Sequence, residues 1–155
     1  MNRFAFLLCI ALSWGKPAHA NKITDFYEIE NVSPPELLLQ RYGNSRGGQG
    51  TQTDGLDFMP DGRLVACFVG GEVFTLNPKT GKWKLFADGL HTPLGVVALN
   101  DHEVMVSQRP ELTRLKDSDG DGVADEYSAF SDDFGVSGNY HEFHFGPVRD
   151  KDGNF

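Results

Sequence analysis

Between positions 51 and 155 the apolar residues fall in short runs of four to seven, each closed by a turn built on Gly, Pro, Asn or Asp. Breaks at that interval leave no room for an amphipathic helix of ten or more residues, so the runs predict β-strands. Strands are expected over Gly55–Phe58, Arg63–Val69, Glu72–Leu76 and Lys82–Ala87, with turns at Met59-Pro60-Asp61-Gly62, Gly70-Gly71 and Asn77-Pro78-Lys79-Thr80-Gly81. The order then recurs. Leu94–Leu99, Glu103–Ser107, Leu112–Leu115 and Glu126–Phe130 repeat the four strands, and a third unit opens at Phe143-His144-Phe145-Gly146-Pro147. From Leu56 to Leu94 is 38 residues, and from Leu94 to Phe143 is 49. Four strands in about forty residues is the period of a propeller blade. An antiparallel sandwich shares the alternation of strand and turn, but not the recurrence of turn types in order. The expected fold is therefore all-β, a partial β-propeller over residues 51–155 with about two blades and the start of a third. Such rings close with about four to eight blades, so the chain reads as a fragment of a longer protein.

The remainder is different. Residues 1–20 carry Arg3, the apolar run Phe4–Leu12 and the small-x-small triplet Ala18-His19-Ala20, the pattern of a secretory signal peptide. The run is too short to span a bilayer, and no other segment is long enough. Export to the periplasm or the extracellular space is expected. Residues 21–50 form a lead-in, in which Ser33-Pro34-Pro35 opens a short helical turn through Leu37, Leu38 and Leu39.

Charge narrows the function classes. The chain has 14 basic and 22 acidic residues, and cleavage would remove Arg3 and Lys16. The acidic balance argues against nucleic acid. Cys9 would leave with the signal peptide, so Cys67 stands alone in an apolar run, as a core residue and not as part of a disulfide.

The sharpest local motif is Asp117-Ser118-Asp119-Gly120-Asp121-Gly122-Val123-Ala124-Asp125. Carboxylates at the first, third, fifth and ninth positions, with glycine at the sixth, follow the first nine positions of a calcium loop. Asp117, Asp119, Asp121, the Val123 carbonyl and Asp125 are the expected ligands. Ser128 stands where an EF-hand has its bidentate Glu, and strands flank the loop, so it is closer to the loops of dockerin and thrombospondin type 3 repeats. The plainer alternative is a solvated acidic turn.

In a propeller, the segments before each inner strand and between the second and third strands meet at one channel mouth. That geometry selects Gln52, Thr53 and Asp54, then His91 and Thr92, then Gln108, Arg109 and Glu111, and lastly Asn139, His141 and Glu142. A histidine suits general-base work near neutral pH, and an arginine holds a carboxylate bidentately. Each also has an ordinary role: His91 as a turn cap, His141 in packing, Arg109 paired with Glu111. His144 alternates with Phe143 and Phe145 and is expected to be structural, and His102 lies in a turn.

The segments Gly55–Leu64, Gln108–Leu115 and Gly138–Pro147 resemble the propeller domain of secreted dehydrogenases similar to the soluble glucose and sorbosone dehydrogenases. These are frequent in planctomycete and verrucomicrobial-type bacteria and are often fused to cytochrome c domains. The resemblance covers residues 27 to 155 and implies a six-bladed ring that holds pyrroloquinoline quinone (PQQ) with calcium. It further implies a sugar or alcohol substrate, a cytochrome c-type electron acceptor and a histidine base, for which His141 is the matching residue, with Arg109 beside it. The spacing from His141 to Gly146 is shorter than in the glucose dehydrogenases. The quinone-holding calcium of those enzymes lies in later blades, so the Asp117–Asp125 loop would be a separate, structural site. The expected function is part of an exported quinone-dependent oxidoreductase, inactive alone. The alternative is a non-enzymatic propeller that binds a glycan or a protein.

Overall fold

The structure, a computed structural model, describes residues 30–43, 51–139 and 141–155. The expected signal peptide and most of the lead-in lie outside the described residues. Two compact units are distinguished, Met1–Ser33 and Pro34–Phe155, and every element belongs to the second.

Among the described residues eight strands and one helix form: α1 (Glu36–Tyr42), β1 (Thr53–Phe58), β2 (Leu64–Phe68), β3 (Val73–Asn77), β4 (Lys82–Ala87), β5 (Gly95–Asn100), β6 (Glu103–Ser107), β7 (Leu112–Lys116) and β8 (Glu126–Ser131). They build two four-stranded antiparallel sheets in sequence order, β1-β2-β3-β4 and β5-β6-β7-β8. All eight expected strands are present within one or two residues of their expected ends. The difference lies at 143–147, where no strand forms. A strand needs a ladder partner, and among the described residues none pairs with this segment, although the Asp150–Asn154 turn closes with the Asp150 N–H 2.9 Å from the Asn154 carbonyl.

The two sheets correspond residue by residue. Gly55 pairs with Cys67 as Gly95 pairs with Ser107, and Ala66 pairs with Phe74 as Val106 pairs with Thr113. Even the last bulges coincide: the register slips between Val73 and Phe74, and again between Leu112 and Thr113, which makes Phe86 and Phe130 counterparts. The sheets pack face to face. Val65, Cys67, Val73 and Phe86 of the first meet Val96, Val104, Val106 and Leu115 of the second in one core. In the repeat, these are opposite faces of equivalent strands, so the front of one sheet lies on the back of the next.

The back of the first sheet is covered by α1. Leu38 is fully buried against Ala66, Phe68 and Phe74, and Trp83 and Tyr42 flank it. Phe68, Phe74 and Trp83 meet edge to face at centroid distances of 5.7–6.3 Å, a favoured aromatic geometry. Arg41 fastens the helix end, 2.7 Å from the buried Glu72 and 2.8 Å from Asp88, while the Tyr42 hydroxyl donates to Glu72 at 2.9 Å.

The innermost segments approach backbone to backbone. A Cβ on Gly55 would lie 2.6 Å from the Gly95 Cα, and one on Gly95 would lie 1.5 Å from the Gly146 carbonyl oxygen. Only glycine permits that spacing. The backbone segments at Gly55, Gly95 and Gly146 thus touch along one line.

Candidate functional site

A cleft of about 210 Å³ opens where those segments begin, lined by Gln52, Asp54, Val69, Thr92, Leu94, Arg109, Phe143 and Phe145. Several backbone features aim its side chains. The β1–β2 register slips between Thr53 and Gly55, so Asp54 is an extra, bulged residue; bulges commonly re-aim a side chain beside a site. Thr92 has φ +50°, a left-handed conformation that is a true outlier for a β-branched residue and costs about 1–3 kcal/mol.

Gln108 holds this corner in place. Buried in the β6–β7 turn, it accepts from the His91 N–H at 2.6 Å through Oε1 and donates to Thr113 Oγ1 at 2.6 Å. The Arg109 N–H donates to the His91 carbonyl at 2.9 Å. Gln108 is therefore a scaffold for the loop, with its amide committed to protein groups.

Arg109 does not pair with Glu111. Glu111 accepts instead from the Thr113 hydroxyl at 2.6 Å. The Arg109 guanidinium donates through Nη2 to the Asn139 carbonyl at 2.6 Å, lies 5.8 Å from the Phe143 ring centroid, and keeps a buried Nε with no hydrogen-bond partner. Among the described residues it forms no ion pair. Asp54 opens onto the same cleft. It keeps contact with water at the open side, yet enough atoms crowd it that desolvation raises its pKa above the ordinary carboxylate value.

The remaining expected residues are spread around this cleft. His91 is exposed, and His141 is exposed in the turn after Asn139, whose side chain accepts its N–H at 3.0 Å; neither lines the cleft. Glu142 accepts from the Ser137 N–H at 2.8 Å, and bonds to Ser137 hold its carboxylate below the usual range. His144 is turned to the Arg109 carbonyl, with its Nδ1 at 2.9 Å, and to the Phe134 ring. Sequence spacing picked out Asp54 and Arg109 but not the apolar wall of Val69, Leu94, Phe143 and Phe145, which looks like ordinary core in one dimension. No nucleophile with an adjacent base lines the cleft among the described residues. The cleft brings together an arginine in no direct ion pair, a carboxyl whose pKa desolvation raises, and an aromatic wall.

The acidic loop lies elsewhere, between β7 and β8. Asp117 is buried, and its carboxylate accepts from the Gly120 N–H at 2.7 Å, the Gly122 N–H at 2.9 Å and His102 Nδ1 at 3.1 Å. Burial alone would raise its pKa, but these bonds outweigh that and hold it low. Gly120 and Gly122 take φ near +80° to point their N–H groups inward. Carboxylate oxygens of Asp117, Asp119 and Asp125 lie within 4.8 Å of one another. Asp121 falls outside that group; its carboxylate caps the Val123 N–H at 2.7 Å, and its carbonyl takes the Lys84 ammonium from β4. The three gathered carboxylates suit a hard cation. Local spacing does not reveal His102 or Lys84 at this loop, because the β6–β7 pairing brings His102 there and the packing of one sheet on the other brings Lys84.

Among the described residues no helix is long and apolar enough to cross a membrane. Residues 78–154 match DUF7133, a family described as a domain of unknown function. No curated protein and no solved structure matches the chain.

Proposed function

We propose that the two sheets are successive blades of a β-propeller, and that the cleft at Asp54, Arg109 and Phe143 is the mouth at which an exported sugar or alcohol oxidoreductase, of the secreted dehydrogenase type, receives its substrate. The observation that carries this reading is the convergence at one end of a bulged Asp54, a strained Thr92 and an arginine whose buried Nε has no hydrogen-bond partner. Strain and an unsatisfied buried polar atom each reduce stability, and both persist here on one small cleft. The propeller part is supported by the matching registers, the front-to-back packing and the glycine line Gly55–Gly95–Gly146.

PQQ is a tricarboxylate, and Arg109 is the cation that lines the cleft. These residues alone do not fit that cofactor, so this chain supplies the substrate side of a site and shows no turnover by itself. A cytochrome c-type acceptor belongs to the same reading. The Asp117–Asp125 loop would hold calcium as a staple for the outer edge of the second sheet.

Amide chemical-shift titration of the labelled chain with sugars, polyols and sugar acids tests the mouth. Shifts confined to Gln52–Asp54, Thr92 and Arg109 are expected; shifts elsewhere, or none, sink the reading. Dye reduction with PQQ and calcium ions should stay at background, and turnover would show that the chain needs no further blade. Cleft binding that never leads to turnover in forms carrying additional blades would favour the non-enzymatic glycan-binding alternative.

A further inference from the structure

The cleft's polar groups are unequal, and their inequality selects among ligands. Arg109 presents a full positive charge. Its Nη2 is taken by a neutral carbonyl, its Nε has no partner, and the nearby Glu142 carboxylate is committed to Ser137. In a chain of net charge −8, this guanidinium at the edge of an apolar wall forms no direct ion pair among the described residues, and the nearby Glu142 carboxylate offsets only part of its charge through space. Guanidinium is the side chain best matched to a planar carboxylate. Asp54 lines the same cleft, but the two form no ion pair. Gln52 and Thr92 add neutral hydrogen-bonding groups beside them, and Leu94 and Phe143 offer a surface for a carbon chain.

We propose that the mouth binds a small organic carboxylate, a hydroxy acid or sugar acid, with its carboxylate on Arg109, its hydroxyls toward Asp54, Gln52 and Thr92, and its carbon chain against Phe143. This deepens the mouth reading above and rests on it. A neutral sugar would fill the same volume but bring no carboxylate to the guanidinium, and so forgo the charge-assisted bidentate pair. A dicarboxylate would set its second anion beside Asp54 and is disfavoured.

The test compares sodium D-gluconate with D-glucose at matched ionic strength, read by amide shifts of the full chain. The expected result is binding of gluconate at Gln52–Asp54, Thr92 and Arg109, at least about tenfold tighter than glucose, a difference of about 1.4 kcal/mol. Arg109→Gln should remove that preference, while Asp54→Asn should keep it. The wild-type comparison does not depend on how either variant folds. Equal binding of the two ligands at the cleft would overturn the carboxylate assignment and leave the mouth standing. Absence of cleft shifts with both would overturn the assignment together with the mouth.

Discussion

The first and second sheets share one strand plan but not one environment. The second strands, β2 and β6, are both buried along their length, but the fourth strands differ: β4 ends buried with Phe86 fully enclosed, whereas β8 is exposed nearly throughout and Phe130, the counterpart of Phe86, is 56% exposed. The difference is in the neighbours. The first sheet has α1 on its back and the second sheet on its front. The second has its back on the first sheet, while its front meets only the segment around residues 143–155. There Ser107 Oγ donates to the His144 carbonyl at 3.3 Å and the Phe130 ring touches Phe155 at 5.5 Å. Repetition therefore sets which residues could be core, and packing sets which of them are.

The strongest way to break the comparison is to truncate both phenylalanines. Phe86→Ala should cost about 3–5 kcal/mol in chemical denaturation, as expected for an enclosed aromatic, whereas Phe130→Ala should cost about 0.5 kcal/mol, as at a surface position. Equal losses would mean that the front of the second sheet is covered after all. The second contrast is the loop between the third and fourth strands, a tight Asn77–Gly81 turn in one sheet and the Asp117–Asp125 loop in the other. If calcium binds there, saturation at a hundredfold excess over Kd adds about 2.7 kcal/mol. Asp119→Ala should abolish that rise in Tm, and an unchanged calcium response would exclude the loop.

The glycine line offers a smaller effect. Gly55→Ala forces a methyl against the Gly95 backbone and should cost about 1–3 kcal/mol. Gly138→Ala, where a Cβ would meet nothing within 4 Å, should stay within about 0.5 kcal/mol. A silent Gly55→Ala would refute the close approach of the inner strands. The smallest effect is electrostatic. Arg114 beside Glu103, helped by Asn100, holds the Glu103 carboxyl below its ordinary value against the opposing effect of burial. Because the folded pKa is depressed, the contribution is present above the unfolded value near 4.3. It is lost as pH falls through the folded value. Glu103→Gln should therefore lower Tm at pH 7, and the two proteins should converge under acid. A constant gap across pH would mean that packing, not charge, sets Glu103's role.

Much of this was legible in one dimension. Alternation and turn chemistry are local: Asn77 and Asn100 cap the N–H two residues on at 3.0 and 2.9 Å, so the strand ends follow from residue type. The calcium-like spacing is equally local. Asp54 and Arg109 could be selected because a repeat places equivalent loops at one end. His141 illustrates the limit, since a position before an inner segment says which end it occupies but not whether its ring lines a cleft.

The sequence by itself determined the strands, their order, their repeat and the acidic loop, because each depends on contacts between near neighbours along the chain. Tertiary structure alone decided that Asp54 is bulged, that Arg109 forms no ion pair while Glu111 turns to Thr113, and that Lys84 and His102 reach the acidic loop. It also decided that α1 seals the back of one sheet while Phe130 on the front of the other stays exposed. Those outcomes depend on which groups distant in sequence meet and on how much water is left between them, and neither quantity is written in a local pattern.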